Sequence, residues 1–229
     1  LPSDFASLGR FDMRGTAKVS NKTIETLMDI ETDIGTLSVD LNLDHIEAID
    51  NASYVGQIQF TDFDLGYVMG EPKIGLVTSS LSVAGRGFNK ETINSNITGT
   101  FDSFAFQEYI YTDLQVSGVI KNKIFNGQLD IDDPNLKFNF EGLVDFSKKE
   151  NIYDFSAAIE HANLNALNFV QRDRLSVLNG QMTMDMKGTT IDDVYGAIKF
   201  KNALYQNQND SYAFKDFEIT SEFEDNNER

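Results

Sequence analysis

The sequence predicts an all-β chain built as one long, curved, mainly antiparallel sheet that lengthens by adding similar hairpins. Three observations carry this. Nearly every segment alternates apolar and polar residues with period two, the mark of a half-buried strand. A convincing helical pattern is missing, so no crossovers are available for a parallel sheet and no helix layer to cover a face. One hairpin grammar recurs: "GTLSVDLNLDHIEAIDNASYVGQIQF" from Gly35 to Phe60 is echoed by "GQMTMDMKGTTIDDVYGAIKF" from Gly180 to Phe200.

Taken in order, Phe11, Met13, Gly15, Ala17 and Val19 form one face of the first strand, and Ile24, Thr26, Met28 and Ile30 follow. Leu37, Val39, Leu41 and Leu43 stand opposite Ser38, Asp40, Asn42 and Asp44. Ile58 and Phe60 begin the next group, and Leu81 and Val83 precede a turn expected at "AGRG". Ile93, Ile97 and Phe101 alternate with Asn94, Asn96 and Thr100, and Leu114, Val116 and Ile120 with Gln115, Ser117 and Val119. Phe125, Leu129 and Ile131 lead to a break at Asp133 and Pro134. Leu136, Phe138, Phe140, Val144 and Phe146 share a face, as do Tyr153, Phe155, Ala157 and Ile159. Met182, Met184 and Met186, then Ile198 and Phe200, then Phe217, Ile219 and Phe223 complete the series. The best helix candidate is "HANLNALNFVQRDRLSVLNG", with Leu164, Leu167 and Val170 at spacing three. It is short and rich in Asn, which limits it to one or two turns. Alternation with a single apolar face is the signature of antiparallel strands with one wet side.

The recurrence has a looser third copy in "SVAGRGFNKETINSNITGTFDSFAF", so copies begin near residues 35, 82 and 180. Irregular spacing excludes a strict solenoid, but the pattern describes a sheet growing along one axis. The whole chain, 1–229, is expected to be one continuous β-rich segment. Gly15, Gly118, Gly127 and Gly142 fall in phase with the apolar side. Strand glycines mark bends or close approaches, and a curved sheet with a low glycine floor is a groove.

Composition narrows the function. Hydrophobic residues make up 41% of the 229, which excludes disorder, and no apolar run reaches the roughly 18 residues of a spanning helix. The net charge of -17 argues against nucleic acid and against lying directly on anionic lipid heads. The absence of cysteine excludes disulfides, thiolate zinc sites and thiol catalysis. The chain starts at Leu1 without an initiator Met or signal peptide and ends in "FEDNNER", so an interior piece of a longer protein is expected.

Reactive motifs are poor. "DIDDPN", with Asp130, Asp132, Asp133 and Asn135, departs from a calcium loop because Pro134 and Asn135 occupy ligand and glycine positions. A strand end followed by a proline turn explains it better. Asp192 and Asp193, and Asp50 with Asn51, are read as equivalent turns. The two histidines, His45 and His161, are each flanked by turn-like sequence and read as polar surface residues. A triad or a metal site would need one in a pocket with partners. Paired carboxylates for glycoside hydrolysis are uninformative where acids are this abundant. Asn21, Asn51, Asn96 and Asn209 begin N-x-S/T sequons, which matter only in a eukaryotic secretory context. No catalytic residue, metal or cofactor is assigned.

Four stretches together resemble a known family. They are "YVGQIQFTDFDLGYVMGEPKIGLVTSSLSVAGRGF", "IFNGQLDIDDPNLKFNFEGLVDFS", "YDFSAAIEHANLNALNFVQRD" and "LNGQMTMDMKGTTIDDVYGAIKFKNALY". In this order they resemble the repeat region of the TamB and AsmA-like family of bacterial envelope proteins, over most of residues 35 to 205. The N-terminal membrane helix and far C-terminal segment of that family have no counterpart. The resemblance implies a sheet folded lengthwise into a β-taco with a hydrophobic inner groove. It also implies a bridge across the periplasm of a Gram-negative cell, with the full-length protein anchored in the inner membrane. Such a bridge would pass phospholipid toward the outer membrane, assist outer-membrane protein assembly with a BamA-like barrel partner, or both. The groove lining expected for phospholipid acyl chains is Leu37, Val39, Leu41, Ile58, Phe60, Leu114, Val116, Phe125, Leu129, Phe138, Phe140, Met182, Met184, Met186, Ile198 and Phe200. The three methionines suit it, because a thioether chain repacks around disordered acyl groups. A β-sandwich that binds a protein or glycan would bury the same residues between two sheets, and is the alternative. An outer-membrane barrel ranks last, since Trp is absent and the polar face is acidic.

Overall fold

The structure is a computed structural model and describes residues 9–47, 52–88, 91–189 and 194–222. The turns expected at Asp50 with Asn51 and at Asp192 with Asp193 lie outside these residues, as does Phe223. Thirteen strands follow one another: β1 (Phe11–Val19), β2 (Thr23–Thr32), β3 (Gly35–Asp44), β4 (Ser53–Asp64), β5 (Ile74–Arg86), β6 (Asn94–Phe106) and β7 (Tyr109–Lys121). β8 (Ile124–Asp133), β9 (Leu136–Asp145), β10 (Asn151–Asn163), β11 (Ser176–Gly188), β12 (Tyr195–Asn207) and β13 (Ser211–Ser221) complete them. They form a single sheet whose spatial order is the chain order, and β1 and β13 end it without closing a barrel. The all-β antiparallel class expected from the alternation is the one observed.

The chain divides into two compact units. Unit 1 takes the described residues to Asn122 together with Ile131–Asp133, and unit 2 takes Lys123–Asp130 and the residues from Pro134 onward. In both, alternation and exposure coincide except in the edge strands β1 and β13, where every residue is exposed. In β2, Ile24, Thr26, Met28 and Ile30 are half-buried while Glu25, Leu27, Asp29 and Glu31 are exposed. In β11, Met182 and Met184 are half-buried and Met186 is buried, while Gln181, Thr183, Asp185 and Lys187 are exposed. Half-burial arises because each side chain is covered by its cross-strand neighbours on the same face.

Tight connections set the register. β6 and β7 meet through Gln107 and Glu108, at φ 49° and 64°. Two consecutive positive φ values match the right-handed twist of the joined strands. The break at Asp133 and Pro134 is observed, with β8 ending at Asp133 and β9 opening at Leu136.

Of the local expectations, that of a very short helical segment holds and two others are corrected. The helix candidate after His161 makes a single turn, in which the Leu167 amide donates to the Asn163 carbonyl at 3.0 Å. Asn165 Nδ2 then donates to the carbonyls of Val170 and Asp173, at 3.1 and 2.8 Å, so side-chain amides replace the helical ladder. Leu167 nevertheless anchors this loop in a buried position. The α-helix among the described residues is α1 (Leu65–Met69), which has no apolar period. Asp64 caps it by accepting from the Tyr67 amide at 2.9 Å, and Gly70 ends it in the left-handed region. Finally, "AGRG" is not a turn at its start: Ala84, Gly85 and Arg86 continue β5, paired with Asn96, Ser95 and Asn94. Likewise His161 lies within β10, half-buried beside a register shift, while His45 is exposed as expected.

Candidate functional site: the apolar sheet face

Register places the expected lining residues in rows that cross the strands. In unit 1, Leu37 of β3 stands opposite Phe60 of β4, Val39 opposite Ile58, and Leu41 opposite Gly56. The rows continue through β5, where Phe60 meets Ser79, Ile58 meets Leu81 and Gly56 meets Val83. They then cross β6 to reach Leu114 and Val116, which oppose Phe101 and Gly99. On the other side the same rows reach Ile30, Met28 and Thr26 of β2. Leu37, Val39, Leu41, Ile58 and Phe60 are half-buried, and Leu114 and Val116 are buried.

Unit 2 repeats the construction. Phe138 and Phe140 of β9 oppose Ile159 and Ala157 of β10, and Ala157 opposes Met182. Met182, Met184 and Met186 of β11 oppose Phe200, Ile198 and Gly196 of β12, which in turn oppose Phe217, Ile219 and Ser221. Phe125 joins this face by stacking on Phe140, with centroids 6.2 Å apart, and Phe140 contacts Phe155 at 4.9 Å. Leu129 is half-buried and in phase with Phe125. Phe138, Met182, Met184, Ile198 and Phe200 are half-buried, whereas Phe140 and Met186 are buried.

Residues omitted from the expected lining occupy the same rows. Leu81, Val83, Ile97 and Phe101 do so in unit 1, and Phe155, Ala157, Phe217 and Ile219 in unit 2. Their period-two phase was the available signal. The glycines in phase with this face mark close backbone approach. A Cβ at Gly56 would lie 1.9 Å from the Asp40 carbonyl oxygen, and one at Gly196 2.2 Å from that of Asp185. Both residues have positive φ, 152° and 128°, a region L side chains rarely adopt. The neighbouring strand therefore leans over the apolar face at these points, which a side chain would prevent.

Apart from the hydroxyls of Thr26 and Ser79, which stand in the unit 1 rows, polar side chains gather at strand ends and on the opposite face. Asp133, fully buried, accepts from the Tyr109 hydroxyl at 2.5 Å, the Thr112 amide at 3.0 Å and the Thr112 hydroxyl at 3.1 Å. Burial, then the nearby charges of Tyr109 and Asp133, push the Tyr111 hydroxyl up to about 12. Asp130 accepts from Asn139. The acidic cluster thus serves hydrogen bonds between strands, and no group of three metal-ligating side chains occurs among the described residues. In unit 2, Asp173 accepts from Tyr205 and Gln208, each at 3.2 Å. Asp145 accepts from the amide and hydroxyl of Ser147, at 2.8 and 2.5 Å, and these bonds hold its carboxyl below the usual carboxylate range.

The polar face of unit 2 also carries two adjoining depressions of about 320 and 610 Å³. Both are bordered by one cross-strand row, Glu141, Ser156, Thr183 and Lys199. Comparison with protein-family models, with characterised proteins and with solved structures finds no match for this chain.

Proposed function

We propose that this chain is a segment of a lipid conduit in the bacterial periplasm, carrying phospholipid between the inner and outer membranes with the acyl chains on the apolar sheet face. One observation carries the reading: in each unit the rows run from strand to strand, apolar except at Thr26, Ser79 and the strand-end Ser221, and yet are mostly half-buried. A structural core is sealed, whereas a surface that receives chains must keep accessible apolar area. No reactive group stands in the rows, and a transfer surface needs none. The resemblance to the TamB and AsmA-like family supports the same reading and adds a BamA-like barrel as partner, in outer-membrane protein assembly. The depressions on the polar face of unit 2 favour a second reading, a binding module for a protein or glycan at the cell envelope.

Native mass spectrometry of the purified chain tests the two. The conduit predicts co-purified phospholipid that is lost in Met184→Asp while the variant remains folded. A wild-type chain that stays free of lipid when offered phospholipid refutes it.

A further inference from the structure

Beyond the apolar face, one end of unit 2 gathers positive charge in a chain of net charge -17. Lys148, Lys149 and Lys187 surround a depression of about 310 Å³, with Glu150, Ile152 and Tyr195 completing its wall. We propose that this depression binds a phosphate group, supplied by a phospholipid headgroup or by free phosphate. Its connection to lipid rests on the conduit reading above.

The backbone around it is fixed. Ser147 is tied to Asp145 through its amide and hydroxyl, and Lys148 Nζ lies 3.7 Å from Asp145 Oδ2. Thr189 Oγ1 donates to the Lys149 carbonyl at 3.1 Å, and the Tyr195 hydroxyl donates to Glu150 Oε2 at 3.0 Å. Lys187 stands directly between Ile152 and Tyr195 in register. Asp145 and Glu150 are thereby engaged locally, while Lys149 and Lys187 form no ion pair with any described residue. Asp145 balances Lys148, and Glu150 keeps its charge while accepting from Tyr195, so Lys149 and Lys187 leave the depression one positive charge in excess, which attracts an anion. A phosphate offers several charged acceptor oxygens to lysine donors, and lysine meets it as a point charge. Position adds the lipid. Met186 and Tyr153 close the apolar rows at these strand ends, while their chain neighbours Lys187 and Ile152 face the opposite, polar side, so the loop between β9 and β10 that carries Lys148 and Lys149 is what links the depression to the strand ends. An acyl chain lying along the strands, across these rows, would put its headgroup at the strand ends, beside the loop that carries Lys148 and Lys149.

The test uses the whole chain, its Lys149→Ala/Lys187→Ala variant, and Lys199→Ala/Lys201→Ala as a control that removes equal charge from the polar face. Inorganic phosphate is titrated while NMR follows the lysine signals, and flotation is measured with phosphatidylglycerol vesicles. Phosphate is expected to shift Lys149 and Lys187 in wild type. Vesicle binding should weaken about 30-fold in the first variant, from about 1 kcal/mol per lysine, and little in the control. Phosphate shifts without a vesicle difference would assign the site to free phosphate. Equal behaviour of wild type and the Lys149/Lys187 variant toward both probes overturns the proposal. Lipid co-purification in Met184→Asp reads the apolar face separately, so phosphate binding by a chain that never carries lipid would keep this site and sink the conduit.

Discussion

The β3–β4 hairpin of unit 1 and the β11–β12 hairpin of unit 2 are built on one register with different side chains. Leu37, Val39 and Leu41 face Phe60, Ile58 and Gly56 in the first; Met182, Met184 and Met186 face Phe200, Ile198 and Gly196 in the second. What is held constant is the Gly-x-Ile-x-Phe strand and the aspartate carbonyl that leans over its glycine, from Asp40 or Asp185. What varies is the strand opposite, branched aliphatics in one and unbranched thioethers in the other. Backbone shape is therefore the fixed element, and the facing apolar side chains are interchangeable. The next neighbours differ too: Phe60 meets Ser79, whose buried hydroxyl has no hydrogen-bond partner among the described residues, while Phe200 meets Phe217.

The largest test of this equivalence is Gly56→Ala beside Gly196→Ala. A Cβ at either site collides with backbone, which cannot swing aside as a side-chain tip can. Each variant is expected to lose about 3 kcal/mol in urea unfolding. Tolerance of one and not the other would break the pairing of the hairpins. Next come Val39→Asp and Met184→Asp. On half-buried positions the charge retains some water, so each should cost about 2 kcal/mol, leave the circular dichroism spectrum unchanged, and abolish co-purified lipid. Unfolding of either variant would mean that its row is a sealed core.

Titration should separate these rows from the strand ends, because the three facing pairs of each hairpin contain no ionisable group. Tyr111, raised to about 12 against an ordinary value near 10, stabilises the fold fully below about pH 10 and loses that contribution as pH rises toward 12. Urea midpoints measured from pH 9 to 12 should fall more steeply in wild type than in Tyr111→Phe. Asp145 works in the opposite direction. Its depressed titration adds stability above the ordinary carboxylate range that fades as the solution is acidified through it, and Ser147→Ala should move its NMR titration upward. Ser79→Ala should gain about 1 kcal/mol by removing an unsatisfied hydroxyl, bringing that row closer to its unit 2 counterpart. The smallest effect, under about 1 kcal/mol, is expected for Met184→Leu in thermal melting.

The strand phases were legible because period-two alternation is local and survives even where burial is partial. Leu37, Val39 and Leu41, or Met182, Met184 and Met186, announce their face without any tertiary information. The wider row was half-legible: Phe101 and Phe155 carry the same phase, but which residue stands across from them depends on loop lengths and bulges that composition does not encode. Register shifts between Phe60 and Phe63, and between Ile159 and His161, have no sequence marker of that kind. Helix α1 escaped because five residues are too few to show a period, and its existence rests on one aspartate cap and one left-handed glycine. The Asn-rich loop pointed the other way, since Leu164, Leu167 and Val170 imitate helical spacing while Asn165 diverts the backbone bonds. That Lys187 borders the same depression as Lys148 and Lys149 was invisible because those two come from a loop nearly forty residues earlier.

That the strands lie side by side in the order in which they are written has a kinetic consequence. Each strand pairs with those immediately before and after it, so no long loop must close before a contact forms. Sheet proteins are ordinarily slow because distant segments must find one another. Here each hairpin offers its free edge to the next strand as synthesis delivers it, and folding can keep pace with the ribosome. The same arrangement makes stability a nearest-neighbour sum. Removing β13 should expose β12 as the new edge and subtract little more than one interface, leaving the remaining strands to melt as a slightly shorter version of the same sheet.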